Sequence, residues 1–347
     1  MAKTGVLLSN IGSPKSYSVS DVKNYLNTFL MDPDIIKLPF VFRWPLVHGI
    51  IVPRRAPYSA GNYKKIWLEG EGSPLTVYTE RFSKKLQEQL GPDYLVRIGM
   101  RYSDPSIDNA LKEFKAAGIE KVLIVPLYPQ YAEATTGSTV KEVKRVAKHL
   151  KLSFEFEVLP PFFDDKAFID PSVRMMNESL AGQTVDHYLF SFHGLPEEQI
   201  KQVEGCLVTP DCCVQKNACA KNCYRAQCFA TAGTIATRLG LQASQWTLAF
   251  QSRLGRAEWL KPSTDSVLEK LAKEGKKNIA VICPSFVADC LETLEEIGIG
   301  GKEQFQEHGG ENYFLIPCLN ADPEWTANFA DLIKESKIKA AGLKSLS

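Results

Sequence analysis

Tyr188-Leu189-Phe190-Ser191-Phe192-His193-Gly194-Leu195-Pro196 is a short apolar run of β character that stops at a histidine. In an open α/β sheet, ligands gather at the carboxyl ends of the strands, where loops leave the sheet and side chains point into a crevice. His193 occupies such an end, although by itself it reads equally well as a residue capping the turn before Gly194 and Pro196. A second strand end, Ile279-Ala280-Val281-Ile282-Cys283-Pro284, runs on into Ala288-Asp289-Cys290-Leu291-Glu292-Thr293-Leu294. Asp289 and Glu292 stand three apart, a spacing that puts both on one face of an incipient helix.

Working outward, strand patterns at 4–9, 94–100, 121–126 and 153–159 alternate with helical patterns at 18–31, 77–90, 107–117 and 135–150. This alternation predicts a parallel sheet with right-handed crossovers. Pro160-Pro161 marks a boundary, and beyond it the scheme repeats. Helical patterns at 166–180, up to 239, and at 264–274 alternate with strands at 187–192, 246–250, 278–283 and 313–316, and a last helix follows at 324–334. The predicted fold is α/β, with two similar doubly wound domains whose parallel sheets face a central cleft. The domains are 1–159 and 160–322, and the C-terminal helix, 323–347, packs back on the first.

The chain has 347 residues, 44% apolar and 23% charged, an ordinary globular composition long enough for two compact units. Its net charge of +1 gives no footprint for nucleic acid. Met1 to Leu8 runs straight into a strand without the apolar core of a secretory signal, which predicts a cytoplasmic protein. The most apolar stretch, 36–52, is interrupted by Arg43 and His48 and is too short to span a bilayer. It reads either as a buried helix pair or as an exposed apolar lip.

The histidine and acidic stretches together resemble the ferrochelatase family, which inserts ferrous iron into a porphyrin. Phe190-Ser191-Phe192-His193-Gly194-Leu195-Pro196 and Asp289-Cys290-Leu291-Glu292-Thr293-Leu294 match its two signatures, and further matches cover nearly the whole chain. The resemblance implies a porphyrin pocket lined by Asn10 and Ile11 after the first strand, by Arg101 and Tyr102, and by Trp259 stacked on the macrocycle. Trp259 lies in a further match, Phe250-Gln251-Ser252-Arg253-Leu254-Gly255-Arg256 to Pro262. Ser73, in the family's Gly-Ser-Pro segment, and the Lys64-Lys65 pair, chiefly Lys65, are candidates to meet the propionates. A lysine pair also suits a plain solvated face. The resemblance favours the lip reading of 36–52, with peripheral contact at the inner face of the membrane.

Six of the nine cysteines fall between Cys206 and Cys228. Without an export signal, that clustering points to metal rather than disulfides. The segment 202–223 looks inserted relative to the family, a subset of which carries an internal [2Fe-2S] cluster. The resemblance implies such a cluster here, with zinc as the rival. Cys228 stands where relatives without a cluster also carry cysteine, and adjacent Cys212 and Cys213 rarely reach one cluster together. That leaves Cys206, one of Cys212 or Cys213, Cys219 and Cys223; the expected set is Cys206, Cys213, Cys219 and Cys223, with Cys212 or Cys228 as alternates. Cys283, Cys290 and Cys318 read as inert buried thiols.

Metal insertion requires removal of two pyrrole protons. By the resemblance, His193 is the base and an initial contact for the Fe2+ substrate, and Glu292 with Asp289 holds the imidazolium or passes protons outward. Cys290 departs from the many members that have a second histidine there. Ile11 replaces the tyrosine of some coproporphyrin-using relatives, which favours protoporphyrin IX and protohaem as product. Alternatives are a coproporphyrin ferrochelatase, a cobalt or nickel chelatase, and a non-catalytic tetrapyrrole or iron sensor; monomer and homodimer both fit.

Overall fold

A computed structural model describes residues 3–206, 209, 212–213, 222–253 and 257–336. The chain divides into two units: one comprises residues up to Leu127, Glu133–Pro160 and the segment from Ala321, the other Tyr128–Ala132 and Pro161–Asn320.

The first unit contains β1 (Thr4–Ser9), α1 (Val19–Leu30), α2 (Phe40–Pro45), α3 (Val52–Ile66), α4 (Pro74–Leu90), β2 (Tyr94–Ile98), α5 (Ile107–Ala116), β3 (Lys121–Pro126), α6 (Ser138–His149) and β4 (Glu155–Val158). Its sheet runs β2-β1-β3-β4 with all pairs parallel, from Thr4 opposite Tyr94 and Lys121 to Lys121 opposite Glu155. Parallel neighbours need crossover connections, and the amphipathic helices supply them. Leu7, Ile124, Leu111, Phe114 and Val143 form one fully buried cluster.

The second unit contains α7 (Lys166–Ser179), β5 (His187–His193), α8 (Glu197–Lys201), α9 (Tyr224–Arg238), β6 (Trp246–Gln251), α10 (Thr264–Lys273), β7 (Asn278–Ile282), α11 (Lys302–Glu307) and β8 (Asn312–Leu315). The order is β6-β5-β7-β8, again all parallel. Leu189, Ala249, Val281, Leu268 and Phe305 pack its core. Both sheets therefore have the same topology, with the first strand flanked by the second and third. In such sheets the order reverses beside the first strand, and loops diverge there to leave a crevice. The carboxyl ends of β1 and β5 lie at these points.

The last helix, α12 (Pro323–Glu335), starts with Asp322 accepting a hydrogen bond from the Trp325 amide at 3.0 Å. It belongs to the first unit, where Trp325 and Phe329 meet Phe82 of α4 at ring-centroid distances of 5.5 and 5.7 Å. Among the described residues no helix is long and apolar enough to cross a membrane.

The stretch 36–52 is helical from Phe40 onward and largely exposed. α2 continues into a π-helical segment, Leu46–Ile51, and then α3. Phe40, Val41, Phe42 and Trp44 are all more than half exposed, Val41 at 69%. Arg43 turns inward along with Val47 and Val52, donating to the carbonyls of Ile36 and Leu38 at 3.2 and 2.9 Å. The sequence pattern does not predict α3, because Pro53 reads as a break. Pro53 falls in the helix's first turn, where a missing N–H is tolerated.

Candidate active site

His193 is the last residue of β5. Its Nδ1 lies 2.7 Å from the Gly194 carbonyl oxygen. A carbonyl only accepts, so Nδ1 carries the proton and Nε2 of the neutral ring presents a lone pair. Burial pushes the imidazole below its ordinary pKa, opposed by the charge of Glu292 and the Gly194 hydrogen bond, so the neutral form dominates at neutral pH. The ring also meets Phe286 edge-on at 6.2 Å.

The turn after His193 admits only glycine. A Cβ on Gly194 would lie 2.9 Å from the Gln251 carbonyl, 3.1 Å from that of Ser252 and 3.2 Å from the Trp259 ring. Trp259 is held beside this turn by a bridge to Pro196, and the Leu260 amide donates to Leu195 at 3.0 Å.

Glu292 opens a π-helical segment, Glu292–Gly301, and is half-buried. Asp289 does not share its helix. It lies in the preceding loop, 4% exposed, and its carboxylate accepts from the Thr293 hydroxyl at 3.0 Å, the Cys318 amide at 3.3 Å and the Asn320 side chain at 2.7 Å. The expected pairing of Asp289 and Glu292 on one helical face is thus corrected, because the helix begins only after Asp289, whose carboxylate is taken up by Thr293, Cys318 and Asn320. Glu296, four residues on, lies close enough to Glu292 to feel its charge. Glu296 accepts from the Ser252 amide and hydroxyl at 2.8 and 2.7 Å. Burial, with help from the Glu292 charge, pushes its carboxyl up to about 7. Ser252 adopts φ 61°, a left-handed conformation rare outside glycine and consistent with a backbone held to present both donors. The sequence reading missed Glu296; its signal was the i+4 spacing from Glu292.

In the first unit, the loops after β1 and β2 are zipped together. The Arg101 amide donates to the Asn10 carbonyl at 2.8 Å and the Tyr102 amide to that of Ile11 at 3.1 Å. Four residues singled out from sequence therefore meet at one sheet end. Asp32, which sequence reasoning passed over, gathers two of their side chains together with Ser138: its Oδ2 accepts from Arg101 Nη2 at 2.7 Å, the Tyr102 hydroxyl at 2.7 Å and Ser138 at 2.6 Å. The Arg101 guanidinium lies 4.5 Å from the Tyr102 ring centroid. Burial raises the Asp32 carboxyl, but the donors outweigh it and hold the group below its ordinary value. Ser73 is buried and donates to Ser13 at 2.8 Å, so the expected open hydroxyl for a propionate is not present. Lys65 is exposed near the end of α3.

Of the candidate cysteine ligands, Cys219 lies outside the described residues. Cys223 occupies the cap position of α9, and the Cys213 thiol hydrogen-bonds to it. That bond, the Ala226 and Arg225 amides and the Arg225 charge lower the Cys223 thiol to about 6 despite its burial. Arg225 also donates to Cys213 Sγ at 3.3 Å, and Cys212 Sγ lies 3.7 Å from Cys213 Sγ. Cys206 is half-buried, and Cys228 is fully buried within α9, where burial pushes its thiol up. No group of three or more metal-binding side chains occurs among the described residues.

The sequence model of the Ferrochelatase family matches residues 3–337. A ferrochelatase of Bdellovibrio bacteriovorus is 62% identical over 334 residues, covering 96% of this chain and 99% of its own. One of Pseudomonas fluorescens is 46% identical over 347 residues, covering 97% of this chain and 99% of its own. Among solved structures, SirB from Bacillus subtilis with Fe3+ superposes with a TM-score of 0.57 at 11% identity, covering 99% of this chain and all of that one, a likeness of fold alone. With the two parallel sheets, these matches establish a two-domain chelatase fold, and the chain belongs to the ferrochelatase family, enzymes that insert iron into a porphyrin in haem biosynthesis.

Proposed function

We propose that His193 is the general base and first iron contact of this reaction, acting on protoporphyrin IX. The observation that carries the proposal is the hydrogen bond from Nδ1 to the Gly194 carbonyl, which leaves Nε2 with its lone pair on a ring kept neutral by burial. A porphyrin must lose two pyrrole protons as Fe2+ enters, and a neutral imidazole at a strand end is suited to take them. Glu292 stabilises the imidazolium, and Glu296, poised near neutrality, carries the proton onward. Asp289 braces the loop that presents Glu292. Asn10, Ile11, Lys65, Arg101 and Tyr102 of the first unit and Trp259 of the second are assigned to the macrocycle, and the units to an N-terminal domain, 1–159, and a C-terminal domain, 160–322. The exposed aromatic residues of the lip support peripheral contact with the cytoplasmic face of the membrane.

A [2Fe-2S] cluster is assigned to Cys206, Cys213, Cys219 and Cys223. The paired Cys213 and Cys223, with Arg225 and helix amides stabilising negative sulfur, suit thiolate ligation. Such a cluster would supply structural or sensing chemistry, since metal insertion changes no oxidation state. The test of the active-site assignment is anaerobic metallation by wild type and His193→Ala, offering Fe2+ with protoporphyrin IX or coproporphyrin III. Loss of haem formation with porphyrin binding retained supports the assignment. Faster turnover of coproporphyrin III would overturn the substrate, and undiminished activity of the variant would overturn the base.

A further inference from the structure

The ladder between β5 and β7 ends at Phe190 opposite Ile282, three residues short of His193. On the β7 side the His193 backbone therefore needs other partners. It finds them in a ring of three groups. The His193 amide donates to Ser285 Oγ at 3.2 Å, and the Tyr224 hydroxyl donates to the His193 carbonyl at 2.7 Å. Tyr224 Oη and Ser285 Oγ are 3.0 Å apart. Because the tyrosine proton goes to the carbonyl, the serine hydroxyl donates to Oη, and the ring closes with every donor and acceptor used. Closed chains of hydrogen bonds polarise one another and hold their members to one geometry. Tyr224 is buried, and it is the first residue of α9, directly after Cys223.

We propose that Tyr224 is a positioning residue for His193, and that through it the state of the thiol segment at the start of α9 sets the histidine's placement. The proposal rests on the assignment of His193 as the base. Its logic is that Cys223 and Tyr224 are covalent neighbours at one helix terminus. Whatever binds or releases the Cys213–Cys223 pair moves the first turn of α9, and with it the hydroxyl that grips the His193 carbonyl. By linkage, the coupling runs both ways.

The experiment uses the full chain as purified, in four variants: Tyr224→Phe, Cys223→Ser, their combination, and Ser285→Ala. Amide hydrogen exchange of segment 190–196 is read beside kcat and KM for protoporphyrin IX with Fe2+. Loss of one hydrogen bond in the ring is expected to speed exchange of that segment and lower kcat by about threefold to tenfold, leaving KM within about twofold. Cys223→Ser is expected to do the same alone and to add nothing in the Tyr224→Phe background, the signature of one shared path. Ser285→Ala opens the ring from the other side and decides the matter if Tyr224→Phe folds poorly. Unchanged exchange and kcat in both ring variants would overturn the positioning role. Independent, multiplying effects of Cys223→Ser and Tyr224→Phe would overturn the coupling. Retained metallation by His193→Ala would instead refute the base assignment, and the exchange result would stand apart from it.

Discussion

Replacing Asp32 with asparagine keeps the shape of the side chain and removes its charge. Three donors converge on Oδ2 within 2.7 Å, from Arg101, Tyr102 and Ser138, and Oδ1 accepts from the Asp34 amide at 2.8 Å. The carboxylate side chain is 3% exposed and its guanidinium partner 16% exposed, so solvent cannot replace the lost partner. Breaking a buried ion pair from one side costs about 3–5 kcal/mol, and the partial exposure of Arg101 places the expected loss near the low end, about 3 kcal/mol. The assay is urea unfolding of both proteins across pH. The Asp32 carboxyl lies below its ordinary value in the fold. Its contribution is therefore present above the ordinary carboxylate pKa of about 3.9 and is lost as pH falls through the lower folded value. The difference between wild type and Asp32→Asn should be constant at neutral pH and shrink in acid. A difference under about 0.5 kcal/mol at pH 7, or one that grows in acid, would refute the clamp.

Gly194→Ala should destabilise the second unit by about 1–3 kcal/mol and depress metallation, because the new methyl meets backbone carbonyls that cannot withdraw; thermal unfolding and a turnover assay check both. Glu296 titrates at about 7 in the fold, so the folded state binds more protons than the unfolded chain between the ordinary value and about 7. Its contribution is present below the ordinary value and lost as pH rises through about 7, and Glu296→Gln should flatten that part of the stability profile. His187 is pushed below its ordinary value by burial, so stability should fall as pH drops through about 6.5, a slope absent in His187→Gln. Cys213→Ser should remove visible absorbance and bound iron from the purified protein if the thiol pair ligates a cluster, and unchanged spectra would refute that ligand.

The α/β alternation was legible because helix and strand periodicities are local; His193 stood out as a polar group closing an apolar run, and the residues at the ends of β1 and β2 came from the family resemblance. Asp32 was invisible: it lies 69 residues from Arg101 and 106 from Ser138, and only packing brings the three together. Glu296 escaped because what buries and holds it, the Ser252 amide and hydroxyl, comes from 44 residues away in the chain. Ser73 looked like an open donor until the fold buried it against Ser13.

By itself, then, the sequence determined the two parallel β/α repeats, the histidine at the strand end and the clustering of thiols, since each is written in neighbouring residues. Tertiary structure decided which nitrogen of His193 is free, which carboxylates face each other and what grips the histidine's backbone. Those depend on distances between segments far apart in the chain, and no local pattern encodes them.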